Sequence, residues 1–220
     1  MMFKKIFLVI SILFYFSIVG RVNAEEILEY NYDDFSIVDN ITLYNKAKNT
    51  YYVFNNEDDL QEFMITLTND YDSCMYACLP GDHGYPNCDG NAVVNTTSKT
   101  LSTTTTDYRL SSNYLLGNNG WVYGPGNMSL SIAESYVVTF GITHNEVSGN
   151  FNFSVTVTSS YGFDVDAGYK GNIKYKCKLK IVSKQYIYTL ENGNKINGPK
   201  YNEVSIVDGT GGFTSVIVKA

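Results

Sequence analysis

The chain has 220 residues and a formal net charge of −6, with 22 acidic against 16 basic side chains and 44% hydrophobic residues. This length is enough for one sizeable domain or two small ones. The acidic balance argues against a nucleic-acid partner, because affinity for nucleic acid depends on neutralising phosphates with basic side chains.

Residues 1–24 have the pattern of a secretory signal peptide. A basic start precedes an almost uninterrupted apolar run over residues 6–19, and Val22 and Ala24 place small residues before a cleavage site. The apolar run is shorter than the roughly 20 residues that a membrane-spanning helix needs, so an uncleaved anchor is the less favoured alternative. We therefore predict a secreted, extracellular protein whose signal peptide is cleaved after Ala24.

The acidic N-terminal part, residues 25–95, contains one predicted helix at about residues 57–68. Asn56 is a good N-cap, and the three acidic residues after it suit the positive end of the helix dipole. Apolar side chains then recur at the i, i+3, i+4 and i+7 spacing of a single helix face. These side chains are Leu60, Phe63, Met64 and Leu67. We expect an amphipathic helix that docks on a sheet.

The four cysteines of the chain are Cys74, Cys78, Cys88 and Cys177. Three of them lie in the loop 74–88, "CMYACLPGDHGYPNC", whose histidine makes a structural zinc site one alternative. An even number of cysteines in an exported chain favours disulfides, so no metal is expected. All three pairings stay open. The preferred one joins Cys78 to Cys88, across a short loop whose two prolines and two glycines suit a tight turn, and Cys74 to Cys177, because closing a long loop stabilises a protein most.

A low-complexity stretch rich in serine and threonine, residues 96–113, is predicted to be a linker or an edge strand. Residues 114–220 have the pattern of a β-rich domain. Apolar and polar residues alternate over 136–142, 151–157 and 173–181, which is typical of antiparallel strands with one buried face. The predicted fold class is therefore α+β, mostly antiparallel β, with a C-terminal antiparallel sheet or sandwich and one N-terminal helix.

A predicted hairpin over residues 151–182 raises a membrane hypothesis. Its strands, 151–161 and 172–182, have the length of about 9–11 residues that a transmembrane β-strand needs. Phe163 and Val165 would form a hydrophobic tip between them. A row of lysines alternates with the apolar residues of the second strand: Lys174, Lys176, Lys178 and Lys180. Serine and threonine alternate with apolar residues around this hairpin, and the segment of about residues 136–182 resembles the insertion region of aerolysin-type pore-forming toxins. This resemblance implies that the hairpin enters a membrane.

The chain as a whole resembles uncharacterised small secreted β-rich proteins of Gram-positive bacteria. The resemblance rests on the signal peptide, on the strand and helix that open the mature chain, and on final strands rich in lysine and tyrosine. It implies an extracellular location and no particular activity.

The sequence contains no recognisable motif for catalysis or cofactor binding. Residues 87–91 and 164–168 resemble fragments of calcium loops but lack the later acidic ligands. Tyrosine is in excess, with 19 residues; it favours strands, and it also suits binding surfaces for sugars or proteins. We therefore predict a secreted, non-enzymatic binding protein without a cofactor, which acts through its surface on a cell-surface glycan or protein. The alternatives are a membrane-active or pore-forming toxin that uses hairpin 151–182, and a secreted hydrolase without a recognisable motif.

Overall fold

The structure is a computed structural model that describes residues 26–27, 31–67, 93–190 and 192–220. Side chains are described for residues 31–64, 95–190 and 192–220. This part of the chain is mostly antiparallel β-sheet with one α-helix, which confirms the predicted β-rich class. The predicted signal peptide and the cysteine loop 74–88 lie outside the described residues.

The described chain contains fifteen strands, one α-helix and a short 3₁₀ turn at Tyr32–Asp34. The helix, α1, is Glu57–Leu67. The strands are β1 (Glu26–Ile27), β2 (Phe35–Asp39), β3 (Thr42–Asn45), β4 (Thr50–Phe54), β5 (Val93–Thr105), β6 (Arg109–Leu110), β7 (Val122–Tyr123), β8 (Gly126–Leu130), β9 (Ser135–His144), β10 (Val147–Thr156), β11 (Tyr161–Val165), β12 (Tyr169–Cys177), β13 (Leu179–Leu190), β14 (Lys195–Ile206) and β15 (Gly212–Lys219).

The larger sheet has seven antiparallel strands in the order β1-β5-β13-β14-β4-β3-β2. The N-terminal β4 pairs directly with the C-terminal β14, with Tyr51 opposite Val204. Strand β5 pairs with β13 along most of its length and with two residues of β1 on its other side. The segment 96–113, predicted as a linker or an edge strand, is therefore strand as far as Thr105. The acidic part and the β-rich part of the chain contribute to one sheet.

Three smaller sheets complete the fold: the hairpin β9–β10, the pair β8–β11, and a sheet in the order β15-β12-β6 in which β7 also pairs with β12. The main core cluster joins the hairpin to the larger sheet. The ring of Tyr51 on β4 lies 5.1 Å from the ring of Phe151 and 5.3 Å from that of Phe153, between centroids. Burying a side chain such as Phe153 contributes roughly 1.5–3 kcal/mol to stability, so these contacts hold the hairpin β9–β10 on the larger sheet.

The chain changes from one sheet to another at Lys178. Strand β12 ends at Cys177 in the smaller sheet, and β13 begins at Leu179 in the larger one. The backbone N–H of Lys178 donates to Thr210 Oγ1 at 3.1 Å, and its carbonyl accepts from the N–H of Val207 at 2.9 Å. The segment 172–182 therefore forms parts of two strands and not one continuous strand.

The strand pairing corrects the predicted hairpin 151–182. Strand β10 pairs with β9, whereas β12 pairs with β15, β6 and β7. The alternation of apolar and polar residues specifies which face of a strand is buried, but it does not specify the neighbouring strand. The chain between β10 and β12 forms β11, which pairs with β8.

Helix α1 begins and ends within one residue of the predicted bounds, 57–68. Asn56 caps it, since its Oδ1 accepts a hydrogen bond from the N–H of Asp59 at 2.8 Å. Leu60 and Phe63 are buried in a cluster with residues of β4, β13 and β14. No helix among the described residues has the length and apolar character that a membrane span requires.

Candidate functional site

Lysines line the outer side of β12. Lys174 and Lys176 occupy alternate positions of β12, so their side chains leave the sheet on the same side, and Lys178 follows directly after the last residue of the strand, Cys177. The residues between them point inward, and Ile173 and Cys177 are fully buried. The buried face thus fixes the direction in which the lysines project.

Two aromatic rings lie close to ammonium groups at the N-terminal part of β12. The Nζ of Lys174 is 4.6 Å from the centre of the Tyr114 ring, and the Nζ of Lys170 is 5.4 Å from the centre of the Trp121 ring. The two rings also contact each other, with 5.0 Å between their centroids. Both lysines are within the distance of about 6 Å at which a cation is attracted to the face of an aromatic ring.

A third ring lies between two lysines at the end of β12. The centre of the Tyr108 ring is 5.2 Å from the Nζ of Lys176 and 5.0 Å from the Nζ of Lys178. Tyr108 is itself half exposed. We call this surface the lysine–aromatic face; its members are Lys170, Lys174, Lys176, Lys178, Tyr108, Tyr114 and Trp121.

The aromatic residues are held in place because the segment 109–123 runs alongside β12. Strands β6 and β7 pair with the two ends of β12. Between them, the N–H of Ser111 donates to the carbonyl of Tyr175 at 2.7 Å, and that of Leu115 donates to the carbonyl of Ile173 at 2.9 Å. The backbone therefore fixes the loop that carries Tyr114 and Trp121.

Asn172 anchors the same loop from the lysine side of β12. Its side chain is fully buried. The Nδ2 donates to the carbonyl of Gly117 at 3.2 Å, and the Oδ1 accepts from the N–H of Ile173 at 2.7 Å. A buried amide with both its groups bonded resists displacement, because moving it would leave polar atoms without partners.

The lysine–aromatic face carries positive charge. Within the described part of the chain, none of its four lysines forms an ion pair with a carboxylate; the ion pair found there joins Lys184 to Glu203 at 3.0 Å on the larger sheet. The Nζ of Lys174 instead donates to the backbone carbonyl of Ser112 at 3.3 Å. A ligand with negative charges would meet these ammonium groups without first breaking an ion pair.

The structure places the predicted tip residues inside the protein. Val165 is buried, and the partly buried Phe163 packs against the small cluster of Leu130, Val157 and Ile173. In β8, Met128 is opposite Phe163 and Gly126 is opposite Val165. A side chain at Gly171 of β12 would collide with both Phe163 and Val165. This position corrects the prediction that they form a hydrophobic tip.

Three of the four lysines singled out in the sequence belong to the lysine–aromatic face. The fourth, Lys180, is exposed on β13 outside it. Sequence reasoning missed four members: Lys170, Tyr108, Tyr114 and Trp121. The aromatic residues are far from β12 along the chain, and the only sequence signal for the two tyrosines was the general excess of tyrosine.

Cys177 has a free thiol and is fully buried in the main core cluster. Burial raises the pKa of this thiol to about 12. The free thiol does not agree with the preferred pairing of Cys177 with Cys74. Cys74, Cys78 and Cys88 lie outside the described residues, so the pairing of Cys78 with Cys88 stays a prediction.

No cluster of three or more side chains suited to binding a metal ion occurs among the residues that the structure describes. Comparisons with models of protein families, with curated proteins and with solved structures found no match to this chain.

Proposed function

We propose that this protein is a secreted, non-enzymatic binding protein that holds an anionic cell-surface glycan on its lysine–aromatic face. The observation that carries the proposal is the row of four ammonium groups within 4.6–5.4 Å of three aromatic rings. The signal-peptide pattern of residues 1–24 supports export, with cleavage after Ala24.

The aromatic rings prepare the lysines for binding. A free lysine side chain has many rotamers, and fixing one costs about 0.5–1.5 kcal/mol on binding. The contacts of Lys174 with Tyr114 and of Lys176 with Tyr108 already restrict those rotamers. Tyrosine and tryptophan also offer apolar surface and a polar hydrogen-bonding group, which match the C–H faces and hydroxyls of sugars.

The spacing of the lysines suits a linear polymer. Because a strand rises about 3.2–3.4 Å per residue, alternate lysines on β12 are about 7 Å apart along it. An anionic chain that lies along the strand can therefore meet several ammonium groups in succession. Several weak contacts made by one polymer add to a useful affinity without a deep pocket.

A glycan is favoured over a nucleic acid. The signal-peptide pattern of residues 1–24 predicts export, and an exported protein meets cell-surface glycans directly. Binding to a single-stranded nucleic acid is measured beside binding to glycans, so that the two can be compared.

We also propose that the sheets form a two-layer sandwich, with α1 as an amphipathic helix on its outer side. The shared cluster of Tyr51, Phe151 and Phe153 supports the first point, because these rings come from the larger sheet and from the hairpin β9–β10. The burial of Leu60 and Phe63 supports the second.

The two alternative functions have less support. A pore-forming role needs the apolar residues of 151–157 to face lipid, but Phe153 and Val155 are buried in the core cluster. A hydrolase needs a cleft with paired acidic or nucleophilic side chains. Among the described residues, no observation favours such a cleft.

The proposal is tested by measuring binding of the mature protein to a panel of polymers by calorimetry at low ionic strength. The panel contains polygalacturonate and heparin as anionic glycans, dextran as a neutral control, and single-stranded oligothymidylate. We expect saturable binding to an anionic glycan that weakens with added salt, and no binding to dextran. Tighter binding to oligothymidylate than to either anionic glycan, or equal binding to dextran, contradicts the proposal. Release of dye from lipid vesicles would favour the pore-forming alternative instead.

A further inference from the structure

A second site lies on the other side of β12 from the lysine–aromatic face. It is a cleft of about 370 Å³ between the end of β10, the turn after β3 and the turn between β14 and β15. This volume is at the lower end of the range of about 300–1,000 Å³ that small-molecule sites occupy. It suits a small molecule and not the body of a polymer.

Five of the residues that line the cleft have hydroxyl groups: Ser154, Thr156, Thr158, Ser205 and Tyr175. Each hydroxyl can both donate and accept a hydrogen bond, which allows it to pair with another hydroxyl in either direction. The lining also contains one basic residue, Lys48, and one acidic residue, Asp208, so its formal charges balance.

Tyr175 is positioned by its ring, while its hydroxyl is left open to the cleft. The ring packs edge to face against Phe213, with 5.2 Å between centroids. Among the described residues, the Tyr175 hydroxyl has no hydrogen-bond partner. Burial raises the pKa of Tyr175, so the hydroxyl stays protonated and can donate at neutral pH.

Gly211 leaves room for that hydroxyl. A Cβ built at this position would collide with the Tyr175 hydroxyl. A residue with a side chain would therefore displace the tyrosine or close this end of the cleft.

We propose that this cleft binds a single neutral sugar unit, with the Tyr175 hydroxyl donating to one of its oxygens. A neutral sugar fits because it presents several hydroxyls and no charge, as the hydroxyl-rich and charge-balanced lining requires. Val155 and Ile206 add apolar surface to the same lining, against which the C–H face of a sugar ring packs. This site is independent of the lysine–aromatic face.

The test is saturation-transfer NMR of the mature protein with glucose, galactose and N-acetylglucosamine, each titrated into the millimolar range. The variants are Tyr175→Phe, which keeps the ring and removes the hydroxyl, and Gly211→Ala, which obstructs it. Lys174→Gln is the matched control on the opposite side of β12. Melting curves establish that each variant is folded before its binding is compared.

We expect at least one of these sugars to bind saturably, and both cleft variants to weaken it by about fivefold or more. Lys174→Gln should leave sugar binding unchanged, and Tyr175→Phe should leave binding of polygalacturonate unchanged. No saturable binding of any of the three sugars to the wild type overturns the proposal. So does a Tyr175→Phe protein that binds them as tightly as the wild type.

Discussion

The ammonium group of Lys174 lies 4.6 Å from the centre of the Tyr114 ring, although the two residues are far apart in the sequence. The contact forms because the chain before β7 runs antiparallel beside β12 and is bonded to it through Leu115 and Ile173. A basic strand and a loop with aromatic residues thereby become one surface.

The packing of Phe163 and Val165 predicts opposite effects for two glycine substitutions in neighbouring strands. Gly171→Ala places a methyl group against both side chains and should destabilise the protein by about 1–3 kcal/mol. Gly212→Ala meets no atom within 4 Å and should be neutral or slightly stabilising. Urea unfolding of both variants measures the difference. Equal stabilities would mean that Phe163 and Val165 are not packed on β12, as a free tip would require.

Two adjacent valines of β9 provide a matched test of the core between the hairpin and the larger sheet. Val138 is fully buried, whereas Val137 is 60% exposed. Val138→Asp places an unpaired charge in the core and should lower the free energy of unfolding by about 3–5 kcal/mol or prevent folding. Val137→Asp should change stability by only about 0.5 kcal/mol. Thermal melts followed by circular dichroism check this pair, and a well-folded Val138→Asp protein would refute the proposed burial.

Strands β10 and β12 show which parts of the fold the sequence predicts and which it does not. The alternation of residues correctly indicated that Phe153 and Ile173 point inward, because period-two patterns report burial. It did not indicate that β10 and β12 belong to different sheets, because pairing depends on contacts between distant segments. The change of sheet at Lys178 could not be read from the sequence either, since it depends on a hydrogen bond from the N–H of Lys178 to Thr210, which is distant along the chain.

Only the alternating lysines of the lysine–aromatic face could be predicted, because the position of its aromatic residues also depends on contacts between distant segments. The alternating lysines of β12 stand out in the sequence, and the helix after Asn56 was located by its cap and its apolar spacing. Tyr114 and Trp121 lie in a segment without regular alternation, so no local pattern connects them to the lysines. Their position depends on the pairing of β6 and β7 with β12.

The burial of Cys177 predicts that its thiol is protected in the folded protein. Iodoacetamide at about pH 8 should leave Cys177 unmodified, because the reactive species is the thiolate and the group is both buried and protonated. After denaturation the same residue should be labelled completely. Peptide mass spectrometry measures both states and also counts any disulfides among the other cysteines. Rapid labelling of Cys177 in the native protein would contradict the structure.

The same thiol predicts a loss of stability at alkaline pH. In the unfolded chain it ionises near its ordinary pKa of 9.0, whereas the folded value is about 12. Its contribution is therefore fully present below about pH 9 and is lost as the pH rises toward 12, because the unfolded state releases its proton first. Cys177→Ala should make the fall in the free energy of unfolding less steep over this range. Burial also raises the pKa of Tyr201, so part of the slope should remain. An unchanged slope in the variant would show that the thiol does not titrate differently on folding.

Two lysine variants test directly whether the lysine–aromatic face binds an anionic glycan, when each is titrated with polygalacturonate in a calorimeter at low salt. Lys174→Gln removes a charge that lies over Tyr114 within the face, whereas Lys200→Gln removes an exposed charge on β14 outside it. We expect Lys174→Gln to weaken binding by about fivefold, or roughly 1 kcal/mol, and Lys200→Gln to bind like the wild type. Equal affinities of the two variants, whether both are unchanged or both are weakened alike, would show that the lysine–aromatic face is not the glycan-binding site.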